Sequence, residues 1–220
     1  MLMLNLGCGA IRPEGWQNID SSLNAHLQKI PVIGKLVPKF FKSVEYDSKN
    51  LLYMNLNKKW KYADNSVDVV YSSHTLEHLV PRSVTLFLNE AYRTLKPGGV
   101  IRIVVPDLYK ICKRYIDEYE KTGEGDPTKF IMWALNLHRE GQYGDRIGFF
   151  KKMIYEKQGY PHQHKFMYDE KSLAEKFKQH GFVEIKSKTY GDSEYVTAIK
   201  DVEGKEESYL SVYLEAKKPL

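Results

Sequence analysis

Three groups of residues have the types and spacing to do chemistry. The first is Gly7-Cys8-Gly9, which ends the apolar run Met3-Leu4-Asn5-Leu6 and is followed by a second short run, Trp16-Gln17-Asn18-Ile19, closed by Asp20. Glycines at the end of a strand let a ligand approach the backbone closely, and a carboxylate at the tip of the next strand is placed to accept hydrogen bonds from a ribose diol. The two together read as a nucleoside-cofactor site. A pyrophosphate would need a helix N-terminus and its dipole. Where the dinucleotide fingerprint has its third glycine the chain has Ala10-Ile11-Arg12-Pro13, and no helical pattern begins before Asn18. This counts against NAD or FAD and leaves room for a nucleoside cofactor without phosphates.

The second and third groups are His74-Thr75-Leu76-Glu77-His78 and His162-Gln163-His164. A neutral imidazole at a strand end in a cleft suits a general base, which His74 or His164 would supply. The structural alternative makes His74 and His78 a pair satisfied by backbone or by Glu77, and that is the reading for His78. The spacing also matches the inverted zinc-protease pattern. Zinc there needs both histidines on one helical face, plus a third ligand and an open position. His74 falls at a strand end, so no metal is expected. Two histidines in the second loop do not make a metal shell, and His162 reads as a residue that ties its loop to neighbouring chain. Asp107 closes a strand and reads as a helix cap.

These groups need a scaffold, and the chain supplies the signals for one. At 220 residues it suits a single α/β domain with a substantial core. Its apolar runs are too short to span a bilayer, and no basic region precedes them, so no signal peptide is expected. Two cysteines, Cys8 and Cys112, are too few for a disulfide framework and read as reduced thiols of a cytoplasmic protein. A net charge of +5 without a clustered basic stripe gives no reason to expect nucleic acid as a partner.

Residues 67–73 are β-branched and apolar, which fits a buried strand. Residues 81–96 carry Val84, Phe87, Leu88, Ala91 and Leu95 on one helical face, before the stop Pro97-Gly98-Gly99. Further strands are expected at 51–56, 100–105, 182–188 and 209–216, and a helix at 169–180. Alternation of strands and helices argues for a mostly parallel sheet with helices on both faces. Two segments interrupt it. Residues 21–49 form an insertion whose 29–42 stretch interleaves lysines with apolar residues, read as a flap over bare sheet and alternatively as a peripheral membrane contact. Residues 107–165 form a largely helical insert, in the place of a substrate cap, and its Tyr143, Phe149 and Tyr160 read as core.

Leu4-Asn5-Leu6-Gly7-Cys8-Gly9, Asn18-Ile19-Asp20, the stretch from Asp64 to Leu79 and Leu95-Lys96-Pro97-Gly98-Gly99 occur in an order that resembles the class I S-adenosylmethionine-dependent methyltransferases. The likeness is greatest to the small type-11-like branch often associated with surface polysaccharide synthesis. The resemblance implies a Rossmann-like sheet of seven strands, one of them antiparallel near the C-terminus. It implies S-adenosyl-L-methionine as cofactor, with Asn5, Gly7, Cys8 and Gly9 around it and Asp20 on the ribose. It places Asn55, with Leu56 beside it, near the adenine, and Ser72, Ser73 and His74 along the methionine side. The chain departs from the family pattern at Asn5, where an acid is usual, at Ile11 in place of a glycine, and in the near absence of a helix after the first strand. The expected reaction is methyl transfer to oxygen or nitrogen of a small-molecule or glycan-type acceptor, with His74 or His164 as base. A nicotinamide-dependent oxidoreductase and a non-catalytic cofactor-binding partner protein are the competing classes.

Overall fold

A computed structural model describes residues 1–21, 50–121, 127–135, 163–197, 199–203 and 210–220. The proposed flap, His162, Tyr143, Phe149 and Tyr160 lie outside the described residues.

The chain forms β1 (Met3–Leu6), β2 (Trp16–Asp20), β3 (Leu51–Tyr53), β4 (Val67–Ser73), a 3-10 turn (Leu76–His78), α1 (Pro81–Thr94), β5 (Leu95–Pro106), α2 (Leu108–Lys121), α3 (Pro127–Ala134), α4 (Glu170–Gln179), β6 (Val183–Lys188), α5 (Ile199–Glu203) and β7 (Ser211–Lys217). The strands make one seven-stranded sheet in the order β3-β2-β1-β4-β5-β7-β6. β1, β2, β3, β4 and β5 pair in parallel, and β7 runs antiparallel to both β5 and β6. The expected architecture, with its single reversed strand, is the one observed. No described helix is long and apolar enough to cross a membrane.

The central strands are buried on both faces, as parallel strands covered on two sides must be. Alternation along β5 sends Ile101, Ile103 and Val105 into a core with Val84, Phe87, Leu88 and Ala91 of α1 and Leu173 and Phe177 of α4. Val100 and Val104 point the other way, into a second cluster with Trp16, Val69, Tyr71 and Tyr213, capped by Val196, Ile199 and Val202. Helix α4 starts on a reciprocal capping box, in which the Asp169 carboxylate accepts from Ser172 N and the Ser172 hydroxyl accepts from Asp169 N.

Two element boundaries differ from the sequence expectation. The third strand ends at Tyr53, not Leu56. Pro97-Gly98-Gly99 does not stop a helix, because α1 already ends at Thr94 and these residues lie inside β5. The physical reason is close packing: a Cβ on Gly99 would meet the Lys96 and Asp68 carbonyl oxygens at 2.8 and 3.2 Å, so the glycine lets β5 approach β4.

The join between β1 and β2 matters most for the site. Parallel neighbours usually need a crossover helix, yet Gly7 to Gly15 contains none. Two buried amides serve in its place. Asn5 and Asn18 face each other in register, and Asn5 Nδ2 donates to Asn18 Oδ1 and to the Ile11 carbonyl, each at 2.9 Å. Asn18 Nδ2 donates to the Pro13 and Trp16 carbonyls at 3.0 and 3.3 Å. Carbonyls that a helix would satisfy internally are thus satisfied from the sheet. An aspartate at position 5 has no N–H with which to do this.

Candidate active site

Because the parallel strands all end on one edge, the segments following β1, β2, β3, β4 and β5 gather there. Gly7 and Gly9 both adopt positive φ, at 72° and 51°, which folds the turn back over β2. Gly7 and Cys8 N–H groups donate to the Ile19 carbonyl at 2.8 and 3.1 Å. Gly9 N–H donates to Asp20 Oδ2 at 3.1 Å, and the Arg12 guanidinium clamps the Gly9 carbonyl through Nε at 3.1 Å and Nη2 at 2.9 Å. The two glycines play different parts. A Cβ on Gly7 would overlap the Thr75 side chain, whereas one on Gly9 would meet nothing within 4 Å. Gly7 is therefore a packing glycine that lets the turns after β1 and β4 touch, and Gly9 faces open space beside Asp20. Cys8 is buried, and that burial, helped by the Asp20 charge, pushes its thiol up to about 11, so it is a neutral wall of the site.

The remaining expected cofactor contacts fall in several environments. Asn5 is buried and its amide nitrogen is committed to the loop. The Ser72 hydroxyl is fully buried and donates to the Leu6 carbonyl at 2.9 Å, which fastens β4 to β1. Asn55 Oδ1 accepts from Asn57 N at 2.9 Å in a turn after β3, and the Leu56 side chain lies in the core. Ser73 is half-buried, and its carbonyl accepts from the Thr75 hydroxyl at 3.0 Å. Asp107 is a cap, as its place in sequence suggests, with Oδ1 accepting from Tyr109 N at 3.0 Å and Lys110 N at 3.3 Å.

A second cluster stands at the end of β4. His74 holds a left-handed backbone, φ 47°, that an L side chain adopts only when its surroundings enforce it. Its side chain is 42% exposed, with Nδ1 3.3 Å from Glu77 Oε1 and Nε2 3.4 Å from the Ser211 hydroxyl. Glu77 is wholly buried, and among the described residues neither of its carboxylate oxygens has a hydrogen-bond partner; the His74 approach is close but not aligned as one. The chain returns to this point from far away. Lys165 N and Phe166 N donate to the Glu77 carbonyl at 2.6 and 3.2 Å, which places His164 against His78 with ring centroids 4.9 Å apart. Burial lowers the His164 pKa to about 4, against the opposing pull of Glu77, so its imidazole is neutral near pH 7. His74 and His78 do not share a helical face, as expected, but both converge on Glu77, as does His164. Glu77, His78 and His164 offer ligand atoms within 4.8 Å of one another.

Sequence reasoning passed over Thr75, Arg12 and the centrality of Glu77. A single alcohol, guanidinium or carboxylate carries no spacing signal of its own. Glu77 was visible as the fourth letter of a histidine pattern and as a possible partner of His74 and His78, not as the buried centre of the cluster.

Among curated proteins no sequence matches this chain. A family model described as a methyltransferase domain matches residues 36–103. Solved structures of S-adenosylmethionine-dependent methyltransferases share the fold. One from Archaeoglobus fulgidus is 18% identical with a TM-score of 0.51, over 98% of this chain and 85% of its own. One from Thermotoga maritima is 16% identical with a TM-score of 0.50, over 99% and 82%. One from Methanosarcina mazei is 16% identical with a TM-score of 0.50, over 99% and 92%. The chain thus has the fold of the S-adenosylmethionine-dependent methyltransferases, and its segment 36–103 matches a methyltransferase-domain family.

Proposed function

We propose that this chain is an S-adenosylmethionine-dependent methyltransferase that methylates oxygen or nitrogen of a small-molecule or glycan-type acceptor. The observation that carries the reading is the open space at Gly9 beside the Asp20 carboxylate, on an edge that has no helix N-terminus after β1. Such a turn suits an adenosine whose ribose hydroxyls donate to a carboxylate and offers little to a diphosphate. The family match over 36–103 agrees with it. Asp20, Gly7, Cys8 and Gly9 would line the nucleoside, with Asn5 acting through the loop it holds. Asn55 and the backbone at Leu56 would border the adenine, and Ser72 and Ser73 the methionine end.

The sulfonium supplies a good leaving group, so most of the rate can come from holding acceptor and methyl in line in a dry site. A hydroxyl acceptor needs its proton removed as the new bond forms. His74 is the candidate base because it is exposed on the cofactor edge, with its Nδ1 beside the Glu77 carboxylate at 3.3 Å. His164, neutral and set behind Glu77, would act on that pair rather than on the acceptor. The glycan-type acceptor rests on the sequence resemblance alone. The free thiols suit the cytoplasm.

Calorimetry with S-adenosylhomocysteine tests the cofactor. Asp20→Ala is expected to weaken it about 10- to 100-fold, the worth of hydrogen bonds to a charged acceptor. Binding of NAD instead, or an affinity indifferent to Asp20, would overturn the assignment. With a methyl acceptor in hand, His74→Ala should lower kcat by about 100-fold or more while the cofactor Kd holds. Equal losses in both would make His74 a binding residue.

A further inference from the structure

We propose that Glu77, His78 and His164 form a site for a divalent transition-metal ion, zinc by the chemistry of its donors. The argument begins from hydrogen-bond polarity. His78 Nδ1 lies 3.3 Å from the Gln163 carbonyl oxygen. A carbonyl only accepts, so Nδ1 carries the proton and Nε2 carries the lone pair. That lone pair faces Glu77 Oε1 at 3.9 Å. His164 Nδ1 is likewise buried and has no hydrogen-bond partner among the described residues, and the same is true of both Glu77 oxygens. Ligand atoms of His78 and His164 therefore gather within 4.8 Å of a carboxylate that has no exposed surface and, among the described residues, no hydrogen-bond donor on either oxygen.

Burying an ionised carboxylate in this way is costly unless a cation sits with it. A separation of 3.9 Å is too long for a hydrogen bond, but two metal bonds of about 2.0–2.2 Å through a shared ion span it. The set as a whole, within 4.8 Å, must draw in by about 1 Å to reach such bonds, and the partly exposed His78 ring has the freedom to do so. Two imidazoles and one carboxylate are the donors zinc accepts when it keeps an open position. The His78–Gln163 contact supplies what metal-bound histidines almost always have, a second nitrogen that donates to a carbonyl and fixes the tautomer. His74 Nδ1, 3.3 Å from Glu77 Oε1 and open to solvent, borders the position left free.

The ligands come from two segments far apart in sequence, joined where Lys165 and Phe166 donate to the Glu77 carbonyl. A bound ion would lock that junction and settle the end of β4, where His74 sits in its strained conformation. The proposal does not depend on which cofactor or acceptor the chain uses.

The test is metal binding to the purified chain, first stripped with a chelator, using Co2+ as a visible probe and Zn2+ by competition. One equivalent of Co2+ should bind and give the intense visible bands of a low-coordinate N/O site, and Zn2+ should abolish them. Glu77→Gln and His164→Ala should each weaken binding by about 100-fold. His180→Ala, at the far end of α4, should leave it unchanged. Circular dichroism and S-adenosylhomocysteine calorimetry on the same variants report whether they fold and keep the cofactor site. If Glu77→Gln fails to fold, the His164→Ala result decides. Absence of stoichiometric binding, or binding indifferent to His164 and Glu77, overturns the proposal.

Discussion

Glu77 and the carboxylates around Arg102 are buried in opposite ways. On the far face of the sheet Arg102 is fully buried between Glu203 and Glu215. Its Nε donates to Glu203 Oε1 at 2.6 Å, and its terminal nitrogens donate to the Asp192 and Thr189 carbonyls at 2.9 and 3.0 Å. The carboxylates are completed by others: Gly191 N donates to Glu203 Oε2 at 2.6 Å, and Ser193 Oγ and Glu194 N donate to Glu215 at 2.5 and 3.2 Å. At the carboxyl edge Glu77 is equally buried and has no such donors among the described residues. A fully satisfied ionic cluster ties β5, β7 and the segment between β6 and β7 into one arrangement. An unsatisfied one stores a demand for a cation, and it lies at the edge where ligands bind in folds of this kind.

The comparison can be broken from either end. The largest effect is expected at the satisfied cluster. Arg102→Met removes the shared cation from two buried carboxylates and should cost about 3–5 kcal/mol in urea unfolding. Glu77→Gln in metal-free protein removes a buried charge that has no hydrogen-bond donor among the described residues, so unfolding stability should hold or rise. A loss as large as that of Arg102→Met would mean that Glu77 is a structural ion like the others.

The loop that replaces the first crossover helix gives the next test. Asn5→Asp leaves the Ile11 carbonyl without its donor and sets a carboxylate against Asn18 Oδ1, which should cost about 1–3 kcal/mol and weaken cofactor binding through the loop. Unchanged stability would show that the loop holds itself. The smallest effect concerns Cys8. A thiol raised from 9.0 to about 11 by burial binds its proton more tightly folded than unfolded. Its contribution to stability is complete below pH 9.0 and is lost as the pH climbs towards about 11. Iodoacetamide at pH 8 should therefore label the exposed Cys112 well before Cys8. Equal labelling would mean that the glycine turn opens readily.

Most of the scaffold was legible before any coordinates. The β-branched run of β4, the helical periodicity of α1 and the order of strands and helices required nothing beyond residue spacing. So did the absence of a helix after β1. Boundaries were harder: Gly98 and Gly99 have the letters of a helix stop, yet Gly99 serves strand packing that depends on Asp68 across the sheet. At the site, Asp20 and the glycine turn could be read locally. The different duties of Gly7 and Gly9 could not, because Gly7 is specified by Thr75, a residue distant in sequence. The place around the cofactor expected of Asn5 said nothing of the donor that its own loop needs.

The sequence by itself determined where β1, β2 and β4 end, because apolar patterning and glycine are local properties of the chain. It also determined that a carboxylate would stand beside the first turn, since adjacent parallel strands put residues 7–9 and 20 side by side. Only the tertiary structure decided that Glu77 would be buried without a donor and that His164 would face it. Burial and hydrogen-bond polarity are set by whichever distant segment folds over a residue. For Glu77 that segment includes Lys165 and Phe166, whose N–H groups donate to its carbonyl.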